Sequence, residues 1–181
     1  MLNLDILINS KIPEIWNPSL NKFMLFITHM GGGLFIVTLS FLIIIYLFYK
    51  KKYSKLILLF IGIAGGIILR TLIKISVKRI RPENSLVSET GYSFPSGHAL
   101  LSIIFFLLLI YIFKDEIKIK SLKIIFITIN IILILFVSFS RIYLNVHWFS
   151  DVFGGILIGI AWTIISILIT TKFINPKILK T

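Results

Sequence analysis

Five long apolar segments dominate this chain of 181 residues and restrict what it can fold into. They lie within residues 23–49, 56–74, 97–113, 122–139 and 149–171. A bilayer core of about 30 Å requires roughly 20 helical residues, and the third and fourth segments are only slightly shorter. Hydrophobic residues make up 57% of the chain, whereas apolar residues are roughly 45–50% of a soluble protein. We therefore predict an all-α integral membrane protein, a bundle of about five transmembrane helices.

The two ends of the chain lie outside the apolar segments. Residues 1–22 mix apolar and polar side chains and are interrupted by Pro13 and Pro18, which favours an amphipathic arm at the membrane interface. A removable signal peptide is not expected, because no small-residue cleavage site follows a compact apolar region. We expect one membrane-embedded domain over residues 23–172 and a cytoplasmic tail over residues 173–181.

The charge of the chain supports a membrane topology rather than nucleic-acid binding. Its 19 Lys and Arg residues against 7 Asp and Glu residues give a net charge of +12. Many of the cations occupy the short stretches 50–55, 114–123 and 172–180, which the positive-inside rule assigns to the cytoplasm. We expect a multi-pass protein of the cell membrane with no nucleic-acid partner. The chain has no Cys, which excludes disulfides and thiolate metal sites.

A basic cluster at residues 74–82 lies on the predicted extracytoplasmic side, against the charge rule. Lys74 and Arg81 are seven residues apart, nearly two helical turns, so a continuing helix would place them on one face. Lys78 would lie close to that face, and Arg79 would point elsewhere. Such cations can bind phosphate, Arg as a bidentate hydrogen-bond donor and Lys as a point charge. The alternative is a collar of basic side chains that extend to the membrane surface.

A second cluster, Y-S-F-P-S-G-H over residues 92–98, directly precedes an apolar segment. Ser96 is a plausible helix N-cap, and Gly97 would let an anion approach the backbone N–H groups. His98 would stand beside this cradle as a proton donor. The alternative is an ordinary helix start with an incidental histidine.

The third cluster covers residues 140–151 and holds the candidate nucleophile. His147 and Asp151 are four residues apart, so an Asp bonded to one ring nitrogen could leave the other free to attack. Arg141 is out of phase with His147 on a straight helix. We therefore predict a break near residues 144–145, with one helix ending at Arg141 and another beginning near His147. The alternative is a polar turn with a His–Asp cap.

Taken together, the three clusters resemble the type 2 phosphatidic acid phosphatase superfamily. The patterns are K-x6-R-P, P-S-G-H and S-R-x5-H-x3-D, here Lys74, Arg81 and Pro82, then Pro95 to His98, then Ser140, Arg141, His147 and Asp151. The signature covers residues 74–151, and the span arrangement extends the match to about residue 171. Bacterial members often have six spans, whereas here the arm at residues 1–22 stands in place of the first.

The resemblance implies a role for each motif residue. His147 would be the nucleophile that forms a phosphohistidine, Asp151 would orient it, and His98 would protonate the leaving group and then help to activate water. The phosphoryl oxygens would be held by Lys74, Arg81, Arg141, Ser96 and the backbone N–H of Gly97. No cluster of carboxylates suggests a metal, and no metal or other cofactor is expected.

The expected function is removal of the terminal phosphate from a lipid phosphate or diphosphate at the outer leaflet. The resemblance makes phosphatidylglycerophosphate, phosphatidate and undecaprenyl diphosphate the candidate substrates. Two alternatives remain open at this point. One is a phosphotransferase of the same superfamily that uses an acceptor other than water, and the other is a non-catalytic membrane protein that binds anionic lipid.

Overall fold

A computed structural model describes residues 2–174, and the described chain is helical, with no strand among those residues. The helices are α1 (Asn3–Lys11), α2 (Pro18–His29), α3 (Gly33–Tyr49), α4 (Tyr53–Val77), α5 (Gly97–Phe113), α6 (Lys120–Tyr143) and α7 (Phe149–Ile169). A 3-10 turn, Ile12–Ile15, follows α1, and a π-helical turn, Thr170–Ile174, follows α7. The predicted all-α architecture is confirmed.

The number of spans differs somewhat from the five that the sequence predicted. Within residues 2–174, three helices are long and apolar enough to cross a membrane alone: α4, α6 and α7 with its π-helical turn. The predicted first span is instead the pair α2 and α3, which meet at a bend of 42° and could form a fourth. The remaining apolar segment, α5, has 17 residues, about 25 Å of helix at roughly 1.5 Å per residue.

The short helix α5 lies at the centre of the bundle and packs against α3, α4, α6 and α7. Its Leu100, Ile104 and Phe105 are fully buried. The surrounding helices carry exposed apolar side chains on their outer faces, such as Phe60 on α4 and Leu135 on α6. Helices that are apolar on all sides suit a lipid environment, where the outward side chains contact acyl chains.

Two glycines of α7 allow this helix to lie against α5. A Cβ atom at Gly155 would be 2.9 Å from the carbonyl oxygen of Ser96, and one at Gly159 would be 2.9 Å from that of Leu100. Both distances are too short for a side chain, so only glycine permits the observed approach. The beginnings of α5 and α7, which carry two of the three sequence clusters, are thereby held next to each other.

The predicted break between α6 and α7 is confirmed. α6 ends at Tyr143 and α7 begins at Phe149, so each boundary lies two residues from the predicted one. Asn145 has a left-handed backbone with φ of 57°, which Asn tolerates better than most residues. Its side-chain amide donates to the carbonyl of Asn84 at 2.6 Å, which ties the turn to the loop between α4 and α5.

The helical-face argument for Lys74 and Arg81 is wrong. α4 ends at Val77, and Lys78 has a left-handed backbone with φ of 51°, so Arg81 belongs to the following loop. The loop folds back on its own beginning, where the backbone N–H of Ser93 donates to the carbonyl of Arg79 at 2.8 Å. The position of Arg81 is therefore set by the loop and not by helical periodicity.

The N-terminal arm is helical and packs against the rest of the bundle. α1 buries Asp5 while its neighbours Leu4 and Ile6 are exposed. The indole N–H of Trp16 donates to the carbonyl of Tyr143 at 2.9 Å. α2 begins at Pro18, inside the stretch predicted as arm. Most of the predicted tail, residues 175–181, lies outside the described residues.

Candidate active site

Residues from all three sequence clusters line one polar cavity of about 230 Å³ at the end of the bundle where α5 begins. Its lining consists of Arg70, Lys74, Arg81, Glu89, Thr90, Gly91, Tyr92, Gly97, His98 and His147. The other predicted site residues, Ser96, Arg141 and Asp151, are buried next to lining residues. The structure therefore brings together side chains that are up to 77 positions apart in the sequence.

His147 occupies the turn between α6 and α7 and is buried, with 3% of its surface exposed. Its Nε2 lies 3.2 Å from Nη1 of Arg81, and its Nδ1 has no hydrogen-bond partner among the described residues. Burial lowers the pKa of His147 well below its ordinary value, and the charges of Arg141 and Arg81 lower it further. The imidazole is therefore neutral at physiological pH, which is the form that can attack phosphorus.

Asp151 lies in the first turn of α7 and is fully buried. Its Oδ2 accepts the backbone N–H of Trp148 at 3.0 Å, and its Oδ1 accepts from Nη1 of Arg79 at 2.7 Å. The distance from Oδ2 to Nδ1 of His147 is 3.5 Å, which is longer than a good hydrogen bond. The predicted His–Asp pair is thus adjacent, and two other donors hold the carboxylate in place.

Arg79 is a site residue that sequence reasoning missed. Because the left-handed residue Lys78 ends the helix, the Arg79 side chain turns towards α7 instead of pointing away. Its Nη2 donates to Asp5 at 2.6 Å, and its Nη1 donates to both Ser150 and Asp151. The only sequence signal was its place beside Arg81 in a basic cluster, which did not distinguish the roles of the two arginines.

The two arginines predicted to bind phosphate, Arg81 and Arg141, are held by contacts with several parts of the chain. Arg81 donates from Nη1 to the carbonyl of Val146 at 2.8 Å. Arg141 is 1% exposed, donates from Nη1 to Thr28 at 2.7 Å, and forms an ion pair with Glu89 through Nη2. Burial alone would raise the pKa of Glu89, but the charge of Arg141 and its hydrogen bond hold that pKa below its ordinary value. The ionised carboxylate of Glu89 therefore forms an ion pair with Arg141.

α5 begins at the Ser96–Gly97 pair. Ser96 is the N-cap residue, as predicted, although its hydroxyl makes no capping bond and is buried without a partner among residues 2–174. A Cβ atom at Gly97 would lie 2.8 Å from Cδ of Arg70, so the missing side chain lets this arginine reach the helix start. Orphan N–H groups at a helix N-terminus favour an anion.

Arg70 is a second cation that sequence reasoning missed. It lies one turn before Lys74 on α4, within an apolar segment, and lines the same cavity. Its Nε is buried without a hydrogen-bond partner in the described part of the chain. A charged residue inside an apolar helix was the available signal, because such a residue is costly in a membrane.

The cations outnumber the acids around this cavity. Arg70, Lys74 and Arg81 line it, and Glu89 is the only carboxylate among the residues that do. Within residues 2–174, no group of three or more His, Cys, Asp or Glu side chains is arranged to hold a metal ion. This lining suits a small anion with several oxygens, such as a phosphoryl group, beside a neutral imidazole.

Comparison with known proteins identifies the family. The sequence profile of the PAP2 superfamily matches residues 54–175, about two thirds of the chain. The chain belongs to the PAP2 superfamily. Phosphatidylglycerophosphatase B of Bacillus subtilis is 32% identical over 149 residues, which are 81% of this chain and 73% of that protein. An undecaprenyl-diphosphatase of Sulfolobus acidocaldarius is 30% identical over 149 residues, which are 78% of this chain and 66% of that protein.

Two solved structures have the same fold. The transmembrane PAP2-type phosphatidylglycerolphosphate phosphatase from Bacillus subtilis superposes with a TM-score of 0.83 at 28% identity, covering 93% of this chain and 85% of that one. LpxE of Aquifex aeolicus superposes with a TM-score of 0.73 at 26% identity, covering 92% of this chain and 96% of that one. The resemblance seen in the sequence is therefore confirmed, and this PAP2 protein is a multi-pass membrane phosphatase.

Proposed function

We propose that this PAP2 protein removes the terminal phosphate of a lipid phosphate or diphosphate, without a metal ion, through a phosphohistidine on His147. One observation carries the proposal. A neutral, buried imidazole directs Nε2 towards a cavity lined by three cations, while a fixed carboxylate lies beside its Nδ1. Phosphoryl transfer depends mainly on positioning and on neutralising the equatorial oxygens, and these side chains can supply both.

Binding begins with an exchange of anions at the arginines. The terminal phosphate displaces the carboxylate of Glu89 from Arg141. Arg141, Lys74 and Arg81 then hold the phosphate. The backbone N–H of Gly97 and the unpartnered hydroxyl of Ser96 donate to further phosphoryl oxygens. Arg and Lys suit these roles because their side chains are cationic and donate several hydrogen bonds.

In the first chemical step, the lone pair on Nε2 of His147 forms a bond to phosphorus while the bond to the lipid oxygen breaks. His98 donates a proton to that oxygen, so the lipid leaves as an alcohol, or as a monophosphate from a diphosphate. The imidazole gains positive charge and directs its Nδ1–H to Oδ2 of Asp151, a contact that shortens from 3.5 Å.

In the second step, His98 accepts a proton from a water molecule as the water oxygen bonds to phosphorus and the P–N bond breaks. Inorganic phosphate leaves, His147 becomes neutral again, and His98 has regained its proton. The cycle therefore uses only water as a co-substrate.

An apolar groove next to the cavity supports a lipid substrate. It has a volume of about 510 Å³ and lies along α3 from Gly32 to Leu42, about 15 Å at roughly 1.5 Å per residue. A Cβ atom on Gly32 would be 3.8 Å from Nε2 of His98, so the groove begins beside the proposed acid. An acyl or prenyl chain can lie there with its phosphate in the cavity. Phosphatidylglycerophosphate, phosphatidate and undecaprenyl diphosphate are the proposed substrates.

The proposed location is the cell membrane, with the cavity on the extracytoplasmic side. Lys50, Lys51 and Lys52 follow α3, and Lys114 and Lys118 follow α5, at the opposite end of those helices from the cavity. Basic residues in short loops favour the cytoplasmic side, so the cavity would face outward.

The proposal is tested by incubating purified protein with each lipid and measuring inorganic phosphate. Release without added metal and in the presence of a chelator is expected, and reversible loss of activity on chelation would contradict the metal-free mechanism. Lys74→Gln should raise KM strongly, whereas the matched variant Lys78→Gln, one turn further and exposed, should behave as wild type. Transfer of phosphate to an added alcohol instead of water would indicate the phosphotransferase alternative.

A further inference from the structure

The N-terminal helix α1 carries a buried carboxylate that the proposed reaction does not use. Asp5 is 1% exposed, although its neighbours Leu4 and Ile6 are exposed. Burial alone would raise the pKa of Asp5, but hydrogen bonds from Ser150 and Arg79 hold that pKa below its ordinary value. Asp5 is therefore ionised, and its burial is compensated by partners in two other parts of the chain.

One partner is the first turn of α7. Oδ1 of Asp5 accepts the backbone N–H of Ser150 at 2.9 Å, and Oδ2 accepts the Ser150 hydroxyl at 2.7 Å. The N–H groups in the first turn of a helix have no partner within the helix, and negative charge there is favourable. Asp5 thus caps the N-terminus of α7, although it is distant in sequence. Asp151 directly follows Ser150, the residue that Asp5 contacts.

The other partner is Arg79, which lies between two carboxylates. Nη2 donates to Asp5 at 2.6 Å, and Nη1 donates to Oδ1 of Asp151 at 2.7 Å. The planar guanidinium can bond both acids at once in fixed directions, which a Lys ammonium on a flexible chain cannot reproduce. The other oxygen of Asp151 is the one that faces His147.

We infer that Asp5 is a positioning residue for phosphoryl transfer, holding the carboxylate of Asp151 against His147 through Arg79 and the first turn of α7. This inference rests on the proposed function. Asp5 also shares the positive charge of Arg79. Without Asp5, that charge would act on Asp151 alone and weaken its stabilisation of the imidazolium that forms during attack. Asp5 does not line the cavity, so its contribution is to the chemical step and not to phosphate binding.

The test compares Asp5→Asn with Glu14→Gln, which makes the same change of charge on the same arm. Glu14 is exposed and pairs only locally, with Lys11 at 3.0 Å. Because small displacements of reacting groups cost up to about 100-fold in rate, Asp5→Asn should lower kcat by about 10- to 100-fold. Its KM should stay within about twofold of the wild-type value, since Asp5 does not line the cavity that binds the phosphate. Glu14→Gln should match wild type in both.

A double-mutant cycle separates positioning from a purely structural role. If Asp5 acts through Arg79, adding Asp5→Asn to Arg79→Gln should lower kcat little further, because both substitutions remove the same Asp5–Arg79 contact. A structural role predicts instead a lower melting temperature with kcat per folded molecule unchanged. Should Asp5→Asn not fold, Arg79→Lys tests the same link, since it keeps the charge but loses the two-sided geometry, and kcat should again fall.

Failure of the Asp5 role and failure of the proposed function give different results. Phosphate release by wild type, lost in His147→Asn, establishes the reaction first. With that reaction in place, an Asp5→Asn variant that matches Glu14→Gln in kcat overturns the positioning role alone. A folded wild-type protein that releases no phosphate from any of the lipids overturns the proposed function itself.

Discussion

The close approach of α7 to α5 leads to a sharp prediction for Gly155→Ala. The added Cβ atom would lie 2.9 Å from the carbonyl oxygen of Ser96 and 3.4 Å from Cβ of Ala99. The distance to the Ser96 oxygen is about 0.5 Å shorter than 3.4 Å, where ordinary contact distances begin. That oxygen belongs to the backbone and cannot rotate away as a side chain could. α7 must therefore move away from the helix start that forms the anion cradle.

The expected size of the effect follows from this displacement. Overpacking a tight contact costs about 1–3 kcal/mol, so the melting temperature in detergent should fall. The same movement separates His147 and Asp151 from the cradle, and a shift of about 0.5 Å should lower kcat by about tenfold. The assay is phosphate release per folded molecule, measured together with a thermal melt.

Gly33→Ala is the matched control for this prediction. Gly33 is the first residue of α3, and a Cβ atom added there meets nothing within 4 Å. This variant should keep the wild-type melting temperature or exceed it, because Ala is the better helix former. A Gly155→Ala variant that equals Gly33→Ala in both stability and kcat would refute the argument that helix contact positions the site.

Three further predictions follow from individual residues. Arg70→Gln should raise KM for the lipid phosphate by about tenfold, since it removes a charged hydrogen-bond donor from the cavity, and unchanged steady-state kinetics would exclude a binding role. The depressed pKa of His147 means that the unfolded chain takes up its proton first, near pH 6.5, so stability should be lost as pH falls below that value. Melts of wild type and His147→Asn should therefore converge between about pH 7 and pH 5, and parallel curves would contradict a neutral native imidazole. Because the chain has no Cys, single cysteines at Ser88 and Lys118 can report topology. An impermeant maleimide should label Ser88→Cys on intact cells and Lys118→Cys only after permeabilisation, and the reverse pattern would place the cavity in the cytoplasm.

The sequence was most informative where local chemistry determines structure. The long apolar segments predicted the helices, and the phase mismatch between Arg141 and His147 predicted the break between α6 and α7. The Ser-Gly pair before an apolar segment predicted the start of α5. These features depend on neighbouring residues, so periodicity and capping preferences were sufficient.

Sequence reasoning failed where long-range contacts determine structure. α4 stops at Val77 because the following loop folds back, with Ser93 bonded to the carbonyls of Arg79 and Ile80. Continuing the helix to Arg81 was therefore wrong, and the same error hid the turn of Arg79 towards α7. Asp5 was also missed, because its partners are more than 70 residues away and no pattern within the arm marks it.

Trapping the covalent intermediate shows directly whether His147 carries the phosphoryl group during the reaction. Wild-type protein is mixed with a radiolabelled lipid phosphate, quenched in alkali within one turnover, and analysed by peptide mass spectrometry. We expect alkali-stable, acid-labile phosphate on His147 of the wild-type protein and none on His147→Asn, which should also release no inorganic phosphate. Phosphate on another residue, or full activity of His147→Asn, would contradict this role of His147.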